Sequence, residues 1–253
     1  MRKDLKKGTE KSIMPKAKIG EPPLGCNWNT PFKISHHNPY ILYFGANKLF
    51  KSYNRGDAWI CISPDLTTNP GPDRQGDVPF GTITTISESP LKPGLLYVGT
   101  DDGQVQVTQN DGVTWTNISK PLPEKWVSCV EASRFEQGTV FVSLTGYRED
   151  DFSTYVYMSN DYGKTWSFIG RDLPTEPVNV IREDPHKKNI LYVRTDLGVY
   201  VSINMGKSWH SLCNNLPTTS VCDLVVQPRE NDLMIGTHGK KCLRVGRGIR
   251  ATD

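Results

Sequence analysis

Residues 145–155 of the chain, TGYREDDFSTY, combine aromatic rings with carboxylates in the way that sugar-handling sites do. An aromatic ring stacks on the CH face of a sugar, while a carboxylate accepts hydrogen bonds from its hydroxyl groups. Two tryptophans, Trp28 and Trp126, stand close to the start of segments that read as strands. The candidate ligand-binding residues are Trp28, Trp126, Tyr147, Arg148, Glu149, Asp150 and Asp151.

Structural roles would account for the same residue types. Asp150 and Asp151 would also suit a solvated loop or a turn cap, and Trp126 would also suit packing against a neighbouring sheet. A glycosidase needs two carboxyl groups about 5–10 Å apart at one centre. The sequence supplies acids but does not place them, so the catalytic residues of such an enzyme stay unassigned.

Charge is distributed unevenly along the 253 residues. Residues 1–18 carry seven basic and two acidic side chains, and residues 239–253 carry five and one. The body between them therefore has a net charge of −6, although the whole chain is at +3. A nucleic-acid-binding surface needs basic residues on the folded face, so this distribution argues against nucleic-acid binding. We expect a basic flexible leader at 1–19 and a basic tail at 241–253.

The six cysteines give no sign of a metal site, because no pair has the CxxC spacing of zinc ligands. We predict neither a metal nor a cofactor. No apolar run approaches the ~20 residues that cross a bilayer, and the N-terminus lacks the apolar core of a secretion signal. The chain is therefore expected to be either cytoplasmic or an internal piece of a longer protein.

A short motif, [ST]-x-[ND]-x-G-x-[AST]-W, occurs four times, and its tryptophans are spaced by 56, 51 and 43 residues. We call each copy a box. The four boxes are built on Ser52, Asn54, Gly56, Trp59; Thr108, Asn110, Gly112, Trp115; Ser159, Asp161, Gly163, Trp166; and Ser202, Asn204, Gly206, Trp209. A repeat of 40 to 56 residues is in the range of propeller blades.

More than the box repeats, because three strand-like segments precede each copy and a fourth follows it. Four short antiparallel strands per repeat are typical of a propeller blade. The sequence therefore predicts an all-β fold, a β-propeller in a partial ring of about four to five blades. The blades are expected within 20–240, at 20–64, 80–118, 126–170 and 177–213, with a partial blade at 220–240.

The boxes themselves are predicted to be structural. Their hydroxyl and Asn or Asp side chains can bond the backbone of their own turn, and their glycines can adopt positive φ. Only the third box has an acid, Asp161, whereas the other three have asparagine. Asparagine caps a turn as well as aspartate does, but it cannot act as a general acid or a nucleophile.

Strand alternation puts the boxes on one rim of the blades and the loops from strand B to strand C on the other. The connections from strand D to the next strand A share this second rim, so the candidate site is expected there. The aspartates in its TD[DL]G turns, at 101, 102 and 196, are expected to serve turn geometry. Arg148 is the only arginine in the B–C loops, which argues against a sialidase, an enzyme that needs an arginine cluster.

The box resembles the Asp-box, or BNR, repeat. Residues about 20–240 are similar to the C-terminal propeller part of large bacterial sortilin-like BNR-repeat proteins that carry a glycosyl hydrolase label. The likeness rests on the segments GEPPLGCNWNTPFKISHHNPYILYFGANKLFKS, TGYREDDFSTYVYMSNDYGKTW, REDPHKKNILYVRTDLGVYVS and NDLMIGTHG. The likeness is weaker at residues 24–26 and again after residue 239. The last strand, which would follow residue 239, is expected to be missing or altered.

The resemblance implies a secreted or cell-envelope protein, built from one or two propellers and longer than this chain. The hydrolase label of that family derives from fold kinship, which does not establish an activity. Three functions stay open: a non-catalytic module that binds a glycan, peptide or protein partner on the B–C and D–A loop face; a fragment of a secreted glycoside hydrolase; and an assembly scaffold. A partial ring would also associate with further blades of a longer chain or with itself.

Overall fold

The computed structural model describes residues 1–212, 221–230, 232–237 and 240–245. Within these residues the chain forms strands and two short 3-10 helices, Pro72–Arg74 and Tyr147–Glu149. No helix among them is long and apolar enough to cross a membrane. The connection at 214–220, Cys213, His238 and the tail beyond residue 245 lie outside the described residues.

The chain divides into two compact units, Met1–Ser119 and Lys120–Asp253. Each unit is built from antiparallel sheets whose strands follow one another in chain order, and we name these sheets blades 1 to 5 and their strands A to D. The first unit holds blade 1 (Phe32–Ile34, Leu42–Gly45, Leu49–Ser52, Ile60–Cys61) and blade 2 (Ile83–Glu88, Leu96–Thr100, Val105–Thr108, Thr116–Asn117).

The second unit holds the remaining three blades. Their strands are Trp126–Ala132, Val140–Gly146, Asp151–Ser159 and Ser167–Phe168 in blade 3; Val178–Glu183, Leu191–Thr195, Val199–Ser202 and His210–Ser211 in blade 4; and Val221–Gln227, Asp232–Thr237 and Lys240–Val245 in blade 5. These sheets confirm the predicted all-β fold with four-stranded antiparallel blades.

Strand B of blades 1 to 4 is buried on both faces along almost its whole length, which explains its nearly continuous apolar sequence. Strand B of blade 2, LYVGT, and strand B of blade 4, LYVRT, are buried at every residue. In the first unit one apolar cluster joins the two blades, with Tyr43 of blade 1 against Ile83 and Ile86 of blade 2. A larger cluster joins the three blades of the second unit. Burial of these side chains is the main force that stacks blade on blade.

The structure differs from the sequence expectations at the two ends. Arg2–Lys3 and Glu10–Lys11 pair as a small hairpin within the expected leader, and Ile13 is buried. Lys240–Val245, assigned from the sequence to an altered end and a basic tail, forms strand C of blade 5 and pairs with Asp232–Thr237. The sequence did not predict these strands, because both segments are rich in basic residues and neither has an alternating apolar pattern long enough to indicate a strand.

Candidate functional site

The four boxes make one hydrogen-bonding pattern at the turn between strands C and D. In blade 1 the Ser52 hydroxyl accepts the Gly56 N–H at 2.8 Å, and the Asn54 side-chain oxygen accepts the Ala58 N–H at 2.8 Å. In blade 3 the same position is Asp161, which accepts the Thr165 N–H at 2.9 Å. Asparagine and aspartate serve equally here because the turn uses only one acceptor oxygen.

Asp161 is held as an anion by its own turn. Its second oxygen accepts the Thr165 hydroxyl at 2.7 Å, and the hydrogen bonds from Thr165 and then Ser159 lower the pKa of Asp161 to about 2. A carboxyl group with so low a pKa does not donate a proton at neutral pH. The geometry therefore supports the structural interpretation of the boxes.

Box tryptophans tie blades 2 and 4 to the chain segment before them. The Trp115 indole N–H donates to the Ile62 carbonyl at 3.0 Å, and the Trp209 indole N–H donates to the Ile169 carbonyl at 2.7 Å. Ile62 and Ile169 directly follow strand D of the preceding blade. A box therefore positions a blade against its neighbour.

The long loop of blade 3 is shorter than the sequence suggests, because strand pairing continues into it. Gly146 pairs with Asp151, so only residues 147–150 project from the sheet. Tyr147–Glu149 form a single 3-10 turn, and Asp150 follows in the left-handed region at φ 56°. Left-handed backbone is costly for residues other than glycine and is tolerated best by Asn and Asp.

Asp151 is fixed at the base of this loop. Its carboxylate accepts the Ser153 N–H at 3.0 Å and the Tyr155 hydroxyl at 2.7 Å. Hydrogen bonds from Ser153, then Tyr155 and Lys125, hold the pKa of Asp151 well below its usual range. Asp151 therefore stays ionised and acts as the anchor of the turn.

Two cations order the charged part of the loop. Lys125 Nζ lies 2.6 Å from Glu149 and 3.1 Å from Asp151, so two carboxylates share one ammonium group, and Glu149 is the main cause of its raised pKa. The Arg148 guanidinium lies 4.1 Å above the centre of the Trp126 ring. Stacking of this kind fixes the guanidinium and covers one face of the indole.

The loop carries an exposed aromatic pair at its tip. Tyr147 and Phe152 meet edge to face with ring centroids 6.0 Å apart, and both are solvent-exposed. Phe152 and Lys125 belong to this cluster, although the sequence analysis did not name them. Their positions in the sequence could have indicated them, because Phe152 lies inside the acidic loop and Lys125 directly precedes Trp126. We call the set Lys125, Trp126, Tyr147, Arg148, Glu149, Asp150, Asp151 and Phe152 the loop cluster.

Trp28 lies in the first unit, whereas the other six predicted site residues lie in the second. It is 86% exposed and precedes strand A of blade 1. The side chain of its neighbour Asn27 donates to Asp101 at 3.3 Å. The Trp28 ring is thus exposed to solvent, and the segment that carries it is held by the hydrogen bond from Asn27 to the B–C turn of blade 2 in the same unit.

The aspartates of the TD[DL]G turns are engaged by backbone and side-chain donors. Asp101 is buried and accepts N–H groups from Gly81 at 2.9 Å and Thr82 at 2.7 Å. Burial raises the pKa of Asp101. Asp196 accepts the Asn179 side chain at 2.6 Å. These hydrogen bonds join Asp101 and Asp196 to the beginning of strand A of their own blades, 17 to 20 residues earlier in the chain, rather than to the turns themselves.

Two carboxyl groups of the loop cluster, Glu149 and Asp151, share the single ammonium group of Lys125. A retaining glycosidase needs one carboxyl group that stays protonated beside one that is ionised. Here Lys125 contacts both Glu149 and Asp151, and hydrogen bonds from Ser153 and Tyr155 hold the pKa of Asp151 well below its usual range, so that Asp151 is the ionised member. Among the described residues no group of three or more His, Cys, Asp or Glu side chains could hold a metal ion.

Comparison with protein families supports the likeness read from the sequence. A family model described as "Sortilin, neurotensin receptor 3" matches residues 154–248. This stretch covers blades 3 to 5 from strand C of blade 3 onward. The chain is therefore similar to sortilin-type BNR propellers, which confirms the resemblance. No curated protein matches the chain.

Solved structures confirm the propeller fold. The GH74 xyloglucanase from Xanthomonas campestris is 14% identical, with a TM-score of 0.63 over 88% of this chain and 36% of its own. YCF48 from Cyanidioschyzon merolae is 10% identical, with a TM-score of 0.59 over 91% of this chain and 70% of its own. An extracellular domain of a B. thetaiotaomicron hybrid two component system is 13% identical, with a TM-score of 0.60 over 88% and 29%.

The chain is short in comparison with most of these relatives. It spans between 28% and 48% of the length of three GH74 structures. At 10–15% identity the likeness concerns the fold alone. The architecture is thus shared with enzymes and with domains of other kinds, and function has to be argued from the site.

Proposed function

We propose that the chain is a non-catalytic propeller module that binds a glycan, peptide or protein partner on its B–C and D–A loop face. The observation that carries this proposal is the exposed Tyr147–Phe152 pair, held on a fixed turn beside charges that neutralise one another. Rigid aromatic surfaces with paired charges at their base are typical of recognition sites.

The Trp126 surface adds to the same site. One of its faces is covered by Arg148, so the ring and the guanidinium form one flat amphipathic surface. Such a surface can stack on a sugar ring or a peptide side chain while the guanidinium donates hydrogen bonds. Trp28 is proposed as a further contact on the loop face of the first unit, because it is fully available to solvent.

The proposal is tested by titration with xyloglucan oligosaccharides, the substrate class in the name of one structural neighbour, and in parallel with a peptide library. Tyr147→Ala should weaken binding of the ligand found about fivefold, since an aromatic contact is worth about 1 kcal/mol. Tyr40→Ala is the matched control, because Tyr40 is also an exposed tyrosine but lies in an A–B turn. Equal losses in both variants would exclude the loop cluster as the site.

The second candidate is a fragment of a secreted glycoside hydrolase, favoured by the GH74 neighbours. It predicts release of reducing sugar that is abolished by Asp150→Asn or Asp151→Asn. The carboxylate of Asp151 already accepts hydrogen bonds from Ser153 and Tyr155, which argues against a catalytic role for it and so against this candidate. Turnover that disappears in either variant, with the fold intact, would replace the binding proposal by the hydrolase.

We also propose that the chain acts outside the cytoplasm, at the cell envelope or in secreted form, as part of a longer protein. The description of one neighbour as an extracellular domain supports this location. Fractionation of the source cells with an antibody to the loop cluster tests it directly. Recovery of the protein in the cytosolic fraction alone would contradict it.

A further inference from the structure

The loop cluster holds one cationic group, the Arg148 guanidinium, that has no anionic partner among the residues the structure describes. Arg148 is exposed to solvent, and its guanidinium lies 4.1 Å from the centre of the Trp126 ring. Lys125, the other cation of the cluster, is already shared by Glu149 and Asp151. Arg148 is therefore the group that can offer charge-assisted hydrogen bonds to a ligand.

Stacking on Trp126 prepares the Arg148 guanidinium for a planar anion. The stacked contact uses the flat face of the guanidinium, so the N–H groups in its plane stay available. Two of these N–H groups together match the two oxygens of a carboxylate. The indole also restricts the side chain before a ligand arrives, so less conformational freedom is lost on binding. A ligand with a carboxylate would thus gain two parallel hydrogen bonds at a low entropic cost.

The tip of the same loop offers an acceptor. Asp150 follows the 3-10 turn that carries Arg148, and its side chain is exposed. Within the described part of the chain the Asp150 carboxylate accepts no hydrogen bond and forms no ion pair. An ionised carboxylate is an acceptor only, so it needs donors from a ligand. A ligand that meets both side chains must bring an anionic group for Arg148 and hydrogen-bond donors for Asp150.

The third component of the loop is its aromatic pair. Tyr147 is 59% exposed and Phe152 is 48% exposed, and the two rings support each other edge to face. Exposed rings of this kind pack on apolar ligand surface such as the CH face of a sugar. Residues 147–152 therefore combine a donor for a carboxylate, an acceptor for hydroxyl groups and an aromatic surface.

A uronic acid carries the complement of all three groups on one ring: a carboxylate, hydroxyl groups and a CH face. A neutral sugar lacks the anion, and an acidic peptide lacks the hydroxyl groups. Charge narrows the choice further, because the two cations and three carboxylates of the loop cluster leave it at a net charge of −1. A ligand with densely spaced charges would be repelled, whereas an isolated carboxylate would meet Arg148 alone.

We propose that the loop cluster recognises a glycan through a single uronic acid, whose carboxylate binds the Arg148 guanidinium in a bidentate manner. This inference rests on the proposed function, because it names the ligand class of the same site. Arg148 sets the specificity, and Asp150 orients the sugar ring through its hydroxyl groups. The aromatic pair supplies contact area. Arg148 is the only arginine in the B–C loops, so this recognition is a feature of the blade 3 loop.

Isothermal titration calorimetry with matched triplets of oligosaccharides tests the proposal. Each triplet consists of an oligosaccharide with one uronic acid, its methyl ester and its neutral parent. One triplet is cellobiouronic acid, its methyl ester and cellobiose, and a second is built on galacturonic acid. The uronic acid form should bind about ten- to a hundredfold more tightly than the other two, because only it forms hydrogen bonds between charged groups. This advantage should shrink as the salt concentration rises.

Substitution of Arg148 assigns the preference to one side chain. Arg148→Gln should bind all three members of a triplet alike, and Arg148→Lys should keep only part of the preference, because lysine retains the charge but not the planar fork. Arg55→Gln is the matched control, since Arg55 is exposed and stacks 4.1 Å from the Tyr40 ring, but lies in the box of blade 1. A preference for the uronic acid that survives Arg148→Gln, or that is lost equally in Arg55→Gln, would overturn the proposal.

The same titrations separate this inference from the proposed function. The uronic acid assignment is wrong if neutral oligosaccharides bind as tightly as their acidic forms, or if a peptide with a free C-terminal carboxylate binds in their place. In both cases the proposed function still stands, provided that Tyr147→Ala weakens the binding. If Tyr147→Ala weakens the binding of no oligosaccharide and no peptide, the proposed function fails as well.

Discussion

Glu183 makes the stability of the second unit depend on pH in a direction opposite to that of most carboxyl groups. It lies at the end of strand A of blade 4, is 2% exposed, and accepts the Arg134 N–H at 2.6 Å and the Ser133 hydroxyl at 2.9 Å from blade 3. Burial outweighs these hydrogen bonds and raises the pKa of Glu183 from 4.5 to about 7. Burial in the folded chain therefore favours the neutral form of this carboxyl group.

The sign and size of the effect follow from linkage. Because the pKa is higher in the folded than in the unfolded state, the contribution of Glu183 to stability is complete below pH 4.5 and is lost as pH rises through about 7. That difference in pKa corresponds to about 3 kcal/mol. Glu183→Gln keeps an acceptor oxygen and removes the titration. The variant should match the wild type near pH 5 and be more stable than it at pH 8, by up to about 3 kcal/mol.

Urea unfolding of wild type and variant at pH 5 and pH 8 measures this difference. Glu136→Gln is the control, because the hydrogen bond from Lys188 lowers the pKa of the exposed Glu136, and its contribution is lost as pH falls. The control should therefore be slightly less stable than the wild type at pH 8. A Glu183→Gln variant with no gain in stability between pH 5 and pH 8 would refute the reasoning.

Three further predictions concern the boxes. Gly206→Ala should lower the free energy of unfolding, measured in urea, by about 2–4 kcal/mol, because φ of Gly206 is +79° and the new Cβ has no space. Gly76 lies in open surroundings, so the control Gly76→Ala should leave the free energy of unfolding unchanged. Trp209→Phe should cost about 1–3 kcal/mol through loss of its buried indole hydrogen bond, and Trp28→Phe should leave the melting temperature unchanged. Asp161→Asn should preserve stability at neutral pH and Asp161→Ala should not, since only alanine lacks the acceptor oxygen; equal losses in thermal melts would contradict the turn geometry.

The fold was predictable because its signature is local and repeated. Each box combines a hydroxyl, an Asn or Asp, a glycine and a tryptophan at constant spacing, and the turn geometry requires each of them. At Gly56 and Gly206 the reason is visible, since φ is positive and a Cβ would meet an isoleucine. Four copies of such a pattern identify strand boundaries more surely than propensity does.

The candidate site was predictable only in part, because its arrangement depends on register and on contacts distant in sequence. The acids of residues 149–151 look equivalent in the sequence. Pairing of Asp151 with Gly146 places Asp151 at the base of the loop, while Asp150 stays at its tip. The bond between Lys125 and Glu149 spans 24 residues and has no local signal. Ile13 was missed for a related reason, since a single isoleucine among basic residues shows no periodicity.

In a repeat protein each blade can be compared with the other blades. Features that one blade has and the others lack are candidates for a functional role. The connection between strands B and C takes up residues 196–198 in blade 4, whereas blade 3 extends both strands and adds an exposed aromatic pair at 147 and 152. Blade stacking requires no such extension, because blade 4 packs without it. Phe32 of blade 1, which pairs with Phe44, is 47% exposed, whereas the strand A residues at the same register position of the other four blades are buried. Both departures expose apolar surface that the blade itself does not use, and burial of that surface by a ligand or a partner would recover free energy at about 25 cal/mol per Å².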